Sequence, residues 1–432
     1  MTTTLFHGGR IIDQRGERSG DVLIDDETAT IREVGPALSG DRRIDVSGCV
    51  IAPGFVDLHV HLRQPGNEAA ETVQSGSRAA ARGGFTAVVA MPNTDPCMDS
   101  AAVINEVLEL ARTALCLVKP SAAISVGRQG LALSPMGELA ALGVRIFTDD
   151  GSGVQDAHLM RRALEYAGSL HVEDGVPIVL AQHCEVAALS ECGVMHEGEW
   201  SAKLGLGGQP AEAEELMVMR DIALARLTGV RIHFQHLSTA GSVAMVRAAK
   251  AGGLPVTAEA TPHHFSLTDA WCAGYDATFK VHPPLRTASD LTAVKVGLAD
   301  GTIDAIATDH APHTPDSKER PFDQAPPGML GLETALAVAL AELDLPFAEI
   351  LALLSWRPAA IAGVSNRHGR PIDPGGPANF TVIDPEHRWT VAGSTMASKS
   401  RNTPFEGRRL KGRVRHTVFE GELVVFDGEA TR

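Results

Sequence analysis

The sequence predicts an α/β chain built as a (β/α)8 TIM-like barrel, with a small β-sandwich assembled from both chain ends. Three observations point there. Between Gly54 and about Ala362, eight short apolar runs alternate with longer amphipathic segments. The first fifty and last sixty residues instead alternate strand-like runs with turn residues. The length of 432 residues exceeds a single domain of roughly 100–200 residues and suits one barrel of about 250 residues with a smaller companion.

In chain order, the β-rich start reads LFHGGRII, DVLIDD, TIREVG and IDVSGCVIAPG. The eight barrel runs are GFVDLHVHL, GFTAVVAMP, CLVKPSAAIS, VRIFTDD, PIVLAQHC, VRIHFQHL, PVTAEATP and IDAIATDH. Between them lie segments with helical spacing and glycine terminators, such as SGSRAAARG, HLMRRALEYAG, Ala211–Gly229 and STAGSVAMVRAAKAG. Pro312 to Gly331 is rich in proline and charge and reads as a long loop after the eighth strand. The end is again β-rich: ANFTVIDPE, RWTVAG, RVRHTVFEGELVVF. The expected organisation is 1–53 and 366–432 as the two parts of one sandwich, flanking a barrel over 54–365.

Hydrophobic residues make up 44% and charged residues 21%, with a formal net charge of −15. This balance argues against nucleic acid or an acidic membrane surface as partners held by bulk electrostatics. The N-terminal MTTTLFHGGRIID has no basic-then-apolar signal pattern, and no stretch approaches 18 uninterrupted apolar residues. Six scattered cysteines without a CxxC pair read as reduced thiols. A cytoplasmic enzyme acting on a small molecule is the expectation.

The sharpest chemical signal is DLHVHLR, Asp57 to Arg63. Residues i and i+2 of a strand point the same way, so His59 and His61 project together, with Arg63 two residues further on that face. Two adjacent imidazoles suit a divalent metal. Run four ends in Asp149-Asp150, run five in His183, run six in His236 and run eight in Asp309. In a barrel the carboxyl ends of the strands converge on one face, where catalytic groups sit. Four histidines and two carboxylates there match the donors that zinc prefers, and suffice for two metals if one carboxylate bridges. Such a pair shares a hydroxide near neutral pH and polarises a carbonyl. The residues therefore read as a metal-dependent hydrolase that attacks a carbonyl with a metal-activated water and releases a nitrogen. Asp309 is placed as the general acid/base, the alternative being a ligand role alone.

With these residues in hand, the chain resembles the dihydroorotases of the amidohydrolase superfamily, in their longer bacterial type. The likeness runs through DLHVHLR, Gly83–Thr94 (GGFTAVVAMPNT), FTDDG, AQHCE, HFQHLST, EATPHH, KVHPPLR, TDHAPHT and Gly331–Thr334 (GLET). It implies two zinc ions per subunit: His59, His61 and Asp309 on one, His183 and His236 on the other, and Asp150 bridging with a hydroxide. Arg63, Asn93 and His313 would bind the substrate carboxylate, His61 would also touch substrate, and the backbone at Pro327–Gly328 would close over the ring. Two departures stand out: His282, a further substrate contact, replaces the family's usual asparagine, and Pro327 a frequent phenylalanine. The implied reaction is reversible cyclisation of N-carbamoyl-L-aspartate to L-dihydroorotate in pyrimidine (UMP) biosynthesis. Homo-oligomers or association with aspartate transcarbamoylase are the partners the likeness suggests.

Hydantoinase, dihydropyrimidinase and allantoinase relatives typically bridge their metals with a carboxylated lysine after strand four. Here IFTDDGSG occupies that place, and no lysine occurs between Lys119 and Lys203. A metal-free scaffold for transcarbamoylase is the other alternative, and retention of all six donors speaks against it. His263, His264 and His310 are expected to be supporting or structural, Cys184 to be packing, and Glu71, Thr72 and Arg82 receive no role.

Overall fold

The computed structural model describes residues 2–170 and 175–432. Each of the eight apolar runs contains a strand: β1 (Phe55–Val60), β2 (Phe85–Ala90), β3 (Leu117–Pro120), β4 (Ile146–Phe147), β5 (Val179–Gln182), β6 (Ile232–Phe234), β7 (Val256–Ala260) and β8 (Ala305–Ile306). They pair in parallel in that order, β1 to β3 in one sheet and β4 to β8 in another. Single parallel bridges join the open edges, Ala122 to Phe147 and Val60 to His310. β1 and β2 are buried at every residue, as expected of parallel strands covered on both faces.

The helices between strands start and stop where their sequences dictate. Thr72 caps helix Val73–Arg82 by accepting the Ser75 amide, Asp156 caps Ala157–Ser169, and Thr239 caps Ala240–Ala251. Helix Glu212–Thr228 ends on Gly229 at φ 71°, a left-handed conformation that glycine adopts without steric cost. Each helix thus turns its chain back to begin the next strand.

The two chain ends share sheets directly. A seven-stranded sheet runs Glu429–Ala430, Glu422–Phe426, Arg409–Phe419, Phe380–Thr390, Val50–Pro53, Arg10–Asp13, Gly16–Ser19. Its register sets Phe380 opposite Pro53 and Ile383 opposite Val50. A four-stranded sheet from residues 3–45 lies beside it. Phe6, Ile11, Ile24, Ile51, Phe380, Val382 and Val418 form one buried cluster between them, with Phe6 edge-on to Phe380 at 5.1 Å. Apolar surface that neither end could cover alone is thereby removed from water.

The segment after β8 is mostly irregular, as expected, but carries a short helical turn at Pro315–Lys318 with proline at its start.

Candidate metal centre and substrate pocket

The six donors meet at the carboxyl ends of the parallel strands. Asp150 lies at the middle: Oδ1 is 3.3 Å from His59 Nε2, 3.5 Å from His183 Nδ1 and 3.7 Å from His236 Nε2, and Oδ2 is 3.6 Å from His61 Nε2. Asp309 Oδ1 is 3.0 Å from His61 Nε2 and 3.5 Å from His59 Nε2. His183 Nδ1 and His236 Nε2 face each other at 2.9 Å. All six side chains are buried.

The local backbone explains this convergence. β1 ends at Val60, so His59 is on the strand while His61 and Arg63 lie beyond it, and simple alternation does not carry to Arg63. A left-handed φ of 61° at Arg63 turns that side chain into the site instead. His236 (φ 31°) and Asp309 (φ 45°) also adopt positive φ just past their strands. Such conformations are strained for residues with side chains and collect at functional sites.

Of the two aspartates in DDG, Asp149 is taken up elsewhere: its carboxylate accepts the Ser125 amide at 3.0 Å and the Ser125 hydroxyl. Asp150 alone reaches the histidines.

Electrostatics bind the cluster together. Burial opposes charge on Asp150, Asp309, His59, His61 and His183. For Asp150 it is outweighed by His59, His183 and His236, which hold the carboxyl well below its ordinary range. Asp309 is lowered against the same penalty by His59 and His61. In return, Asp150 and Asp309 raise His59 well above its usual value, and Asp150 and Glu185 raise His183 to about 10.

Whether the residues fit a divalent cation is decided by a polar atom without a partner. His59 Nε2 is buried, makes no hydrogen bond, and faces both carboxylates. A buried ring nitrogen without a partner, aimed between two carboxylates and further imidazoles, is a ligand geometry once a cation replaces its proton. His59, His61 and Asp309 form one group whose donor atoms lie within 4.8 Å of one another, and His59, Asp150 and His236 form another. The donor set fits.

His61, Arg63, Asn93, Asp150, His183, His236, His282, Asp309, His313, Pro327 and Gly328 line one cavity. Asn93 spans two donors, Oδ1 2.9 Å from His61 Nδ1 and Nδ2 3.3 Å from Asp150 Oδ2. Arg63 donates to the Pro312 carbonyl at 3.1 Å and lies 3.3 Å from His313 Nε2. Burial lowers its guanidinium only to about 10, so it stays charged. His313 Nε2 donates to the Pro327 carbonyl at 2.8 Å. Gly328 is already engaged on both sides, its N–H to Lys280 O at 2.8 Å and its carbonyl to Asn402 at 3.2 Å.

Three residues of this architecture escaped the sequence reading. Glu259 accepts from His59 Nδ1 at 2.9 Å and contacts His233 Nε2 at 3.0 Å. Asn402, from the C-terminal segment, donates to Ala311 and Gly328 carbonyls and accepts the His313 amide. Gln209 reaches His282 at 3.3 Å. Glu259 had a signal, a carboxylate on the strand beside His236; the other two had none. Glu71, given no role, accepts the Lys399 amide at 3.2 Å and lies 3.5 Å from His310, which fits a structural His310.

Known structures place the chain in a class. It matches the L-hydantoinase (dihydropyrimidinase) of Arthrobacter aurescens with a TM-score of 0.87 at 21% identity, covering 100% of this chain and 98% of that one. The dihydropyrimidinase of Brevibacillus agri follows with 0.84 and 22%, covering 99% and 96%. At this identity the likeness establishes the fold alone, the α/β fold that those two proteins share. Sequence relatives are more specific. A family profile described as Dihydro-orotase-like matches residues 48–242. Proteins named dihydroorotase from Streptomyces coelicolor (46% identical over 440 residues, 100% of both chains), Pelotomaculum thermopropionicum (47%, 98% of both) and Mycobacterium tuberculosis (47%, 96% of both) match along their length. The chain belongs to the dihydroorotase family.

Proposed function

We propose that this protein is a dihydroorotase that interconverts L-dihydroorotate and N-carbamoyl-L-aspartate in pyrimidine biosynthesis, using two zinc ions. The observation that carries this reading is the ring of donors around Asp150, within a chain 46% identical end to end to a named dihydroorotase. His59, His61 and Asp309 would hold one ion and His183 and His236 the other, with Asp150 between them. When bound, the ions would acidify a water and polarise the amide carbonyl.

The chain's own residues supply the rest. In hydrolysis the ring C–N bond breaks as water oxygen bonds to the carbonyl carbon. Asp309, held ionised by its histidines, accepts the water proton and returns it to the departing nitrogen; cyclisation runs the same transfers backwards. Arg63, with a forked donor and a permanent charge, takes the substrate carboxylate together with Asn93 and His313. His61 and the Pro327–Gly328 turn complete the walls. Burial fixes these groups before substrate arrives, which lowers the reorganisation needed during the reaction.

The same reading treats the eight parallel strands, with their bridged edges, as a closed (β/α)8 barrel over 54–365. Residues 1–53 and 366–432 are its companion sandwich, supported by the Phe380–Pro53 register and the shared core. A reducing, cytoplasmic setting is supported by six free thiols. Among the described residues, no helix is long and apolar enough to cross a membrane.

The test is a direct assay of dihydroorotate hydrolysis before and after chelation, with hydantoin and allantoin as competing substrates and metal content measured in parallel. Turnover of dihydroorotate that falls with metal loss is expected. A preference for hydantoin, or undiminished activity without metal, would overturn the reading.

A further inference from the structure

His282 stands in the cavity wall, and a residue 73 positions earlier in the chain governs what it can offer a ligand. Gln209 is buried in the two-residue strand Gly208–Gln209, paired in parallel with Met195–His196. Its backbone carbonyl accepts from Arg286 at 2.9 Å, which anchors the residue. Its side-chain nitrogen donates to the Gly193 carbonyl at 3.2 Å. That carbonyl can only accept, so the amide must be turned with its NH2 group on this side. The same nitrogen lies 3.3 Å from His282 Nε2. An amide N–H is received only by an unprotonated ring nitrogen, which leaves the imidazole proton on Nδ1.

We propose that Gln209 is a positioning residue that holds His282 as the neutral Nδ1–H tautomer, making it a donor-only contact for a substrate oxygen. Asparagine can rotate its amide and present either a donor or an acceptor. An imidazole pinned at Nε2 cannot. The ligand class this favours has a carbonyl or carboxylate oxygen at that wall, as a dihydropyrimidinedione or its ring-opened ureido acid does; a ring N–H there would meet a second donor. The substrate half of this inference rests on the dihydroorotase reading, whereas the tautomer half does not.

Nitrogen-15 spectra of enzyme labelled in its histidines test the tautomer directly, with the His282 signals identified by their loss in His282→Asn. A protonated Nδ1 and an unprotonated Nε2 are expected, and Gln209→Glu should reverse them, because a carboxylate can only accept. The same variant should raise KM for dihydroorotate about tenfold, the worth of one hydrogen bond, with kcat changed by less than about twofold. In a His282→Asn background the added Gln209→Glu change should move KM by less than about twofold. Should Gln209→Glu not fold, Gln209→Asn, whose shorter side chain withdraws the amide, serves the same comparison. A protonated Nε2 in the unaltered enzyme, or an equal rise in KM in both backgrounds, overturns the proposal. An unaltered enzyme inactive on dihydroorotate overturns the substrate half, while the spectra still decide the tautomer.

Discussion

The carboxylate of Glu259 lies 2.9 Å from Nδ1 of His59, and this contact decides which face of the imidazole is available to a cation. With Nδ1–H donated to Glu259, Nε2 is the atom that faces Asp150 and Asp309, and it is the one whose proton a cation would replace. Burial opposes charge on Glu259, yet His233 and His59 hold its carboxyl down at about 2, so it remains an acceptor. Such an outer partner fixes the ligand's tautomer and strengthens its basicity.

Glu259→Ala should therefore weaken metal retention about 10–100-fold, as outer partners of metal-bound histidines do elsewhere. Competition with a chelator of known affinity measures it. Unchanged retention would mean that His59 is oriented by packing alone.

Asp309→Ala should abolish turnover, by a factor of about 10²–10⁴ if proton transfer is the function lost. Metal content of the same preparation separates the two roles open to this residue. A variant that keeps its metal and loses kcat has lost the acid/base; one that loses metal in proportion to activity has lost a ligand. Wild-type kcat would remove Asp309 from the chemistry.

How far the site could be read from sequence follows from the reach of each contact. His59 and His61 were legible because two residues of strand period bring them together, and the other donors because parallel strands share one carboxyl end. Asn402 was not legible: it acts 91 residues from Ala311 and comes from the C-terminal segment. Glu259 is 200 residues from His59, and only the pairing of β7 with β8 and the bridge from Val60 to His310 bring them together. Arg63 lines the cavity with the donors, but strand period does not place it there. Strand alternation stops at Val60, and a left-handed turn does the aiming.

Arg63→Ala should chiefly raise KM. A buried charged donor facing a carboxylate is worth about 1.5–3 kcal/mol, or roughly 10–150-fold in apparent affinity. Initial-rate measurements over a range of dihydroorotate concentrations decide it, and an unaltered KM would dismiss the carboxylate clamp.

Gly328 has φ +135°, and a Cβ there would lie 2.7 Å from the Ala311 methyl and 2.8 Å from His313 Nε2. Gly328→Ala must strain the backbone and push His313 from its contact with Pro327. A stability loss of about 1–3 kcal/mol is expected, with a raised KM because His313 faces the pocket. Thermal melting and kinetics together check it; a variant with unaltered Tm and KM would show that the turn accommodates a methyl group.

The joining of the two chain ends has its own signature in pH. Asp13, fully buried in its side chain, accepts Arg18 at 2.9 and 2.8 Å and the Ile372 amide at 2.8 Å, tying the N-terminal strand pair to the returning C-terminal segment. Burial works against its charge, but Arg18 and the backbone N–H groups prevail and lower its pKa. A carboxyl depressed in the folded state contributes stability that is present above its unfolded value, about 3.9. That contribution drains away as pH falls through the lower folded value. Asp13→Asn should therefore melt below the unaltered protein at pH 7, by about 1–3 kcal/mol. The gap should begin to narrow below about pH 4, the unfolded value, and close as pH falls further through the lower folded value, where the unaltered carboxyl is protonated in the folded state too. Melting curves at pH 7, 5 and 3 measure the gap, and one that stayed constant across that range would show that the charge of Asp13 does not hold the ends together.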